Sequence, residues 1–160
     1  MDEFTIVSFI NQIDRVLKPS GYLFLWIDKF HLCEGFKHWL NDTDLSVVDL
    51  ITWDKVNIGL GYRTRRRSEH CVIIQKKPIK AKETWSIHNI PDIWPEKITK
   101  SGTDHPHLKP LDMQEKLMLA TTEPGDTVID PASGGYSVFK IAKKNNRVFI
   151  GGDIEYGKDF

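Results

Sequence analysis

Asp130 and Asp153 close the two halves of a stretch whose residue types suit a nucleoside ligand. Residues 127–155 read TVIDPASGGYSVFKIAKKNNRVFIGGDIE: an apolar run ending in Asp130, a small-residue turn with Gly134 and Gly135, an amphipathic segment, and a second apolar run ending in Asp153 and Glu155. A helix that starts beside a glycine turn directs its unpaired backbone N–H groups toward an anionic or polar group. A carboxylate at the end of the next strand can accept from ribose hydroxyls. The Gly-Gly pair alone is equally an ordinary turn. The whole strand-turn-helix-strand unit, with a carboxylate at each strand end, carries the nucleoside-cofactor reading.

A second cluster is electrostatic. The chain has 22 Lys plus Arg against 22 Asp plus Glu, so net charge says nothing about partners. Its distribution does. Between Gly61 and Lys82 stand eight basic residues, Arg63, Arg65, Arg66, Arg67, Lys76, Lys77, Lys80 and Lys82, against Glu69 alone, a local balance of eight minus one, or +7. Such a density attracts phosphate, although a solvated loop and strand edge would carry the same charges.

The elements that must position these groups follow from periodicity. At 160 residues the chain has the length of one ordinary domain. Residues 2–17 place Phe4, Val7, Ile10, Ile13, Val16 and Leu17 at helical spacing, with acids in the first turn. The turn Lys18-Pro19-Ser20-Gly21 leads into 22–28, YLFLWID, a continuous apolar run that predicts a strand of a parallel sheet covered on both faces. Asp28 ends that strand, either at the ligand edge of the sheet or as the N-cap of the next helix. A second helix is expected over 30–40, strands over 46–53 and 69–75, and a helix over 111–121. The segment 54–68, DKVNIGLGYRTRRRS, is a long loop on the ligand side, where loops of this length usually carry function. Residues 78–104, with three prolines, Trp85 and Trp94, read as an excursion from the sheet rather than a domain. Tryptophans in such a segment either anchor it or stack on bases.

Cys33 and Cys71 sit in apolar surroundings at no metal-ligand spacing, which predicts reduced core thiols and no metal site. The N-terminus lacks the pattern of a signal peptide, and no apolar run approaches a membrane span. A cytoplasmic protein is expected.

The order of the pieces resembles the amino-group DNA methyltransferases, which modify adenine N6 or cytosine N4, in the subgroup whose cofactor motif lies late in the chain. The residues that carry the resemblance are His105-Pro106-His107-Leu108-Lys109-Pro110, a helix, Pro124-Gly125-Asp126, Val128-Ile129-Asp130-Pro131 with its glycine turn, and Phe149-Ile150-Gly151-Gly152-Asp153-Ile154-Glu155. Upstream, Arg15-Val16-Leu17-Lys18-Pro19-Ser20-Gly21 before YLFLWID is similar to that family's helix and strand after the catalytic motif. The stretch from Gly61-Tyr62-Arg63 through Glu69-His70 resembles the segment beside the flipped base.

The resemblance implies an α/β, Rossmann-like methyltransferase sheet flanked by helices and an S-adenosylmethionine site. Asp130, Pro131, Ala132, Ser133, Gly134, Gly135, Tyr136 and Ser137 would wrap the methionine moiety. Asp153 would hold the ribose hydroxyls, and His105, Lys109 and Pro110 would line the other side of the cofactor. Double-stranded DNA would meet Arg63, Arg65, Arg66 and Arg67, with 78–104 as a target-recognition-like insertion in a single domain. The spacing of Ala132-Ser133-Gly134-Gly135-Tyr136 departs from the family's usual Gly-x-Gly.

A larger departure is an absence. The family's D/N/S-P-P-Y/F/W turn, which accepts from the target amino group and stacks on the flipped base, occurs nowhere in the sequence. By the resemblance it would precede Met1, and its strand would lie mid-sheet between the strands ending at Asp130 and Asp28. No catalytic residue is therefore assigned. The expected chain is a C-terminal fragment of a site-specific DNA methyltransferase of restriction-modification type, with adenine N6 ahead of cytosine N4 as the target. The alternative is a catalytically incomplete cofactor- or DNA-binding module or split-enzyme subunit. The partners to consider are then a second chain or an N-terminal segment supplying the motif, and a homodimer.

Overall fold

The computed structural model describes residues 2–98 and 108–154. Its chain divides into two compact units, Met1–Thr84 with Pro91–Pro95, and Trp85–Ile90 with Glu96–Phe160.

The first unit opens with helix α1, Glu3–Val16. Asp2 caps it, its Oδ1 accepting from the amide of Thr5 at 2.7 Å. Strand β1 is Tyr22–Ile27, helix α2 Lys29–Glu34, and a 3-10 turn covers Lys37–Leu40. Strands β2, Leu45–Asp54, and β3, Ser68–Lys76, follow. A one-turn helix α3, Ala81–Thr84, and a short strand β4, Ile93–Pro95, complete it. The sheet order is β1-β3-β2-β4.

β1 is not in the parallel setting its apolar run suggests. It pairs antiparallel with β3, Tyr22 opposite Gln75 and Ile27 opposite His70. β2 also pairs antiparallel with β3, slipping register between Val47 and Asp49, while β4 joins β2 in parallel. The strand buried on both faces is β3: Val72 and Ile74 join the core, and Cys71, Ile73 and Gln75 are buried on its opposite face. A continuous apolar run reports two covered faces, not strand direction, and β1 and β3 both have one.

Ile10, Ile27, Trp39, Leu40, Leu45, Val72 and Ile74 form this unit's core, with Ile6, Val7, Leu17, Leu23, Leu25, Leu32 and Phe36 packed against it. Of the helical stripe expected on α1, only Ile10 is fully buried, and Phe4 is 84% exposed. The helix expected over 30–40 breaks in two because Gly35 adopts φ 90°, where the helix cannot continue. Cys33, on α2, where no residue is fully buried, is exposed to solvent and is not a core thiol; Cys71 is the buried one. Within 78–104, Ile93–Pro95 adds to the sheet edge, and the amide of Thr52 donates to the Asp92 carbonyl at 2.7 Å.

The second unit is built on helix α4, Leu111–Thr121, strand β5, Thr127–Asp130, helix α5, Ser137–Lys144, and strand β6, Val148–Gly151. β5 and β6 pair in parallel, Asp130 opposite Gly151. Met118, Ile141 and Ala142 are its core, joined by Leu111, Val128, Val138 and Phe149. Among the described residues, no helix is long and apolar enough to cross a membrane.

Candidate functional site

The sequence places a turn between β5 and α5, and the fold ties that turn to the end of β6. Ser133, buried, donates its Oγ to the Asp130 carbonyl at 2.6 Å, and its amide donates to the Gly152 carbonyl at 3.0 Å. The amide of Ala132 donates to Asp130 Oδ1 at 3.2 Å, and that of Gly134 to Asp153 Oδ2 at 3.0 Å. Gly134 has φ 48°, a left-handed conformation suited to glycine. Tyr136 shares that region at φ 55° as the residue before α5, and its side chain does not cap the helix. First-turn amides of α5 are thus left without a side-chain cap, beside two carboxylates and a run of small residues.

Close packing makes the cradle. A Cβ on Gly151 would lie 2.3 Å from the Asp130 carbonyl oxygen and 2.7 Å from Ser133 Oγ, whereas one on Gly152 would meet nothing within 4 Å. The turn therefore rests directly on β6, with open space at Gly152. Burial raises the pKa of Asp130 above the ordinary aspartate value; the Ala132 amide opposes the shift and the charge of Asp153 adds to it. Two carboxylates gathered at a half-covered edge suit a ligand rich in donors, such as ribose hydroxyls or an ammonium group.

Every described member of the expected cofactor set falls in this second unit. Asp130, Pro131, Ala132, Ser133, Gly134, Gly135, Tyr136 and Ser137 form the end of β5, the turn and the first residue of α5, and Asp153 follows β6. Lys109 and Pro110 lead into α4, Pro110 buried as its first boundary residue. Helix α4 connects to the turn through Gln114, whose Oε1 accepts from Ser137 Oγ at 3.1 Å. Nothing in the sequence singles Gln114 out; only the packing of α4 on α5 does. His105 and Glu155 lie outside the described residues.

The arginine cluster belongs to the first unit, in the loop between β2 and β3. Arg63, Arg65, Arg66 and Arg67 are all exposed, yet their engagements differ. Arg67 donates through Nε and Nη2 to Asp54 Oδ1 and Oδ2 at 2.6 and 2.7 Å. That fork, with the Val56 amide as a second donor, holds the Asp54 carboxyl down at about 2. Arg65 donates Nε to the Gly59 carbonyl at 2.6 Å. Among the described residues, Arg63 and Arg66 carry no carboxylate partner.

Asp28, one of two readings in the sequence, is the cap of α2. Its Oδ1 accepts from the amides of Phe30 and His31 at 2.8 and 3.1 Å. These bonds, the His31 amide foremost, lower its pKa. Among the described residues, no cluster of His, Cys, Asp and Glu could hold a metal ion.

Comparison with known proteins identifies the family and the fold. Residues 3–159 match the model of the N6/N4 DNA methylases. Type II methyltransferase M.HhaII of Haemophilus parahaemolyticus is 60% identical over 160 residues, covering 99% of this chain and 69% of its own length. Type II methyltransferase M2.DpnII of Streptococcus pneumoniae is 27% identical, over 92% of this chain and 61% of its own. The chain thus spans six- to seven-tenths of the length of these relatives. Among solved structures, the M1.HpyAVI–SAM complex superposes with a TM-score of 0.77 at 23% identity, over 96% of this chain and 78% of that one. The cytosine-N4-specific PvuII DNA methyltransferase gives 0.76 at 15%, over 94% and 66%. At these identities the likeness is one of fold.

Proposed function

The chain belongs to the N6/N4 DNA methylase family, and from that premise we propose that it binds S-adenosylmethionine at the β5–α5 turn. There it serves site-specific methylation of an exocyclic amino group in double-stranded DNA, adenine N6 ahead of cytosine N4. The observation that carries this reading is the joining of the turn to both carboxylate-bearing strand ends: Gly134 N–H on Asp153, Ala132 N–H on Asp130.

Residues 130–137 would surround the methionine moiety, Asp153 would accept from the ribose, and Lys109, Pro110 and His105 would flank the other side. Bound there, the cofactor supplies an electrophilic sulfonium methyl. Small side chains at Ala132, Ser133, Gly134 and Gly135 leave room for close backbone approach, and the packing of Gly151 on Asp130 fixes the floor. Arg63 and Arg66 would meet DNA phosphates, Arg65 and Arg67 holding the loop that presents them. Residues 78–104 would contribute to target recognition within one domain, in the cytoplasm.

A second reading is favoured by one sequence fact: no D/N/S-P-P-Y/F/W tetrapeptide occurs in the 160 residues. On that reading this chain presents the methyl donor, and an N-terminal segment, a second chain or a homodimer partner presents the acceptor. Calorimetry with S-adenosylmethionine tests the cofactor site. Transfer of labelled methyl groups to DNA, by the chain alone and with a segment carrying such a tetrapeptide added, separates the two readings. Robust turnover by the chain alone overturns the second, turnover only with the added segment or partner overturns autonomous action, and failure to bind the cofactor overturns both.

A further inference from the structure

The loop between β2 and β3 holds large apolar side chains out in water. Ile58 is 63% exposed, Leu60 84% and Tyr62 105%. Mobile surface loops carry such residues singly; here three alternate within five positions, on a loop that is firmly built. The Lys55 amide donates to the Arg67 carbonyl at 2.9 Å, Gly59 to Arg66 at 2.7 Å, and Arg66 to Leu60 at 3.2 Å. A Cβ on Gly59 would sit 2.6 Å from the Arg66 carbonyl oxygen, and one on Gly61 2.0 Å from that of Thr64. Both glycines are therefore needed for the fold of the tip, and the folded tip turns Leu60 and Tyr62 outward. At its base, Arg67 clasps Asp54 and Lys55 pairs with Glu69.

Charge identifies what the tip fits. From Lys55 to Ser68 the sequence has five basic residues, Lys55, Arg63, Arg65, Arg66 and Arg67, and no acidic one. Lys55 and Arg67 are neutralised at the base, which leaves Arg63, Arg65 and Arg66 beside the apolar tip. Lys29 donates to Thr64 Oγ1 at 3.3 Å, which ties the tip to the first residue of α2, just beyond the end of β1. Apolar side chains bracketed by arginines match a duplex whose base steps have been parted: the arginines meet phosphates, the apolar groups enter the gap.

Resting on the DNA methylase reading, we propose that Leu60 and Tyr62 form a wedge that enters the base stack of duplex DNA where a base is extruded, with Arg63 and Arg66 on the flanking phosphates. A base amino group inside a duplex is out of reach of a protein-bound methyl donor, so extrusion is required, and it leaves a hole that water fills poorly. Tyr62 offers a ring to stack on the bases lining the hole, and Leu60 fills the remainder.

The test compares fluorescence anisotropy of a labelled intact duplex with that of the same duplex carrying one abasic site, at low salt. The wild-type chain is expected to prefer the abasic duplex by about tenfold, since the hole is already open. Leu60→Ala/Tyr62→Ala, at two exposed positions, is expected to leave the circular dichroism unchanged and to abolish that preference while binding the intact duplex within about threefold of wild type. Arg63→Ala/Arg66→Ala is expected to weaken binding to both duplexes and keep their ratio. A wild type with no preference, or a Leu60→Ala/Tyr62→Ala variant that retains it, overturns the wedge while the DNA reading stands. No binding to either duplex overturns that reading itself. Conversion of a dimer to a monomer in sedimentation by the same variant, with duplex preference unchanged, would assign the tip to a second copy of the chain instead.

Discussion

Gly134 donates its amide to the Asp153 carboxylate at 3.0 Å, joining the glycine turn to the end of β6 across nineteen residues of chain. One oxygen of Asp153 thus shapes the turn, beside a neighbour, Gly152, where an added Cβ would meet nothing within 4 Å. Asp153→Ala removes both a charged acceptor and a support of the turn. A hydrogen bond to a charged group is worth about 1.5–3 kcal/mol, so affinity for S-adenosylmethionine is expected to fall roughly 10- to 100-fold. Asp153→Asn keeps an acceptor and should lose less. Isothermal calorimetry measures both; equal affinity in wild type and Asp153→Ala would remove Asp153 from the site.

Asp130 gives the site a pH signature. Burial, and then the neighbouring Asp153, raise its folded pKa above the ordinary 3.8, with the Ala132 amide opposing. Between 3.8 and that raised value the native state holds more of the proton than the unfolded chain does. Stability from this group therefore falls as pH climbs through the window and stays lower above it. Asp130→Asn is expected to flatten that fall and to raise the denaturation midpoint at neutral pH while weakening cofactor binding. Urea titrations across the acid range check the sign; an unchanged pH profile would show that Asp130 is not desolvated.

How much of this was legible from the residues alone depends on the range of the interactions. The unit around Asp130 and Asp153 is local, one strand, turn, helix and strand in succession, and its elements appear where periodicity and turn residues put them. Asp28 shows the limit of such reasoning, because a carboxylate after a strand fits a cap and a ligand equally, and only the amides of Phe30 and His31 decide for the cap. Strand direction was not legible: β1 and β3 carry similar apolar runs, and their antiparallel pairing is a long-range fact. The roles within the arginine cluster were equally hidden. Four similar residues divide into a clasp, a loop brace and two open cations according to where Asp54 and Gly59 lie.

Gly151 is the most demanding position beneath the site. Its missing Cβ would fall 2.3 Å from a backbone oxygen of Asp130, which cannot move without breaking the β5–β6 pairing. Gly151→Ala is expected to destabilise the fold by about 2 kcal/mol or more through overpacking. Its neighbour is the control: Gly152→Ala meets nothing within 4 Å and should stay within about 0.5 kcal/mol of wild type. Equal midpoints for the two variants would refute the close approach.

Gln75, a polar side chain in the most buried strand, is 1% exposed and fully engaged. Its Nε2 donates to the Ser20 carbonyl and to Thr84 Oγ1, each at 3.0 Å, and its Oε1 accepts from the Lys80 amide at 3.3 Å. It thereby pins the turn before β1 and the chain after β3 to the sheet. Gln75→Leu keeps the bulk but removes the partner of the half-buried Ser20 carbonyl and of the Lys80 amide, a loss of about 0.5–1.5 kcal/mol per hydrogen bond. Denaturant unfolding should show a lower midpoint at unchanged slope, and a midpoint at or above wild type would mean that the network contributes nothing.

Asp54 and Arg67 close the base of the loop that carries the open arginines, and their coupling separates positioning from phosphate contact. Held at about 2 by the Arg67 fork, the Asp54 carboxyl lies below its ordinary 3.8. A depressed acid stabilises above its unfolded pKa and loses that contribution as pH falls through its folded one. The clasp should therefore open between about pH 4 and 2, seen as a loss of protection, relative to intrinsic exchange, of the amides of Lys55, Gly59 and Arg66 in that window. At neutral pH the same logic sorts the arginines. Arg63→Ala and Arg66→Ala each remove a cation that no carboxylate holds among the described residues, so each should lower DNA affinity and reduce the salt slope by about one. Arg67→Ala frees Asp54 and loosens the loop, so it should speed exchange at those amides and weaken binding, with Arg67→Lys rescuing poorly because a single ammonium cannot reproduce the fork. If Arg67→Ala instead leaves amide exchange untouched while reducing the salt slope as Arg63→Ala does, Arg67 is a phosphate contact and the clasp does not hold the loop.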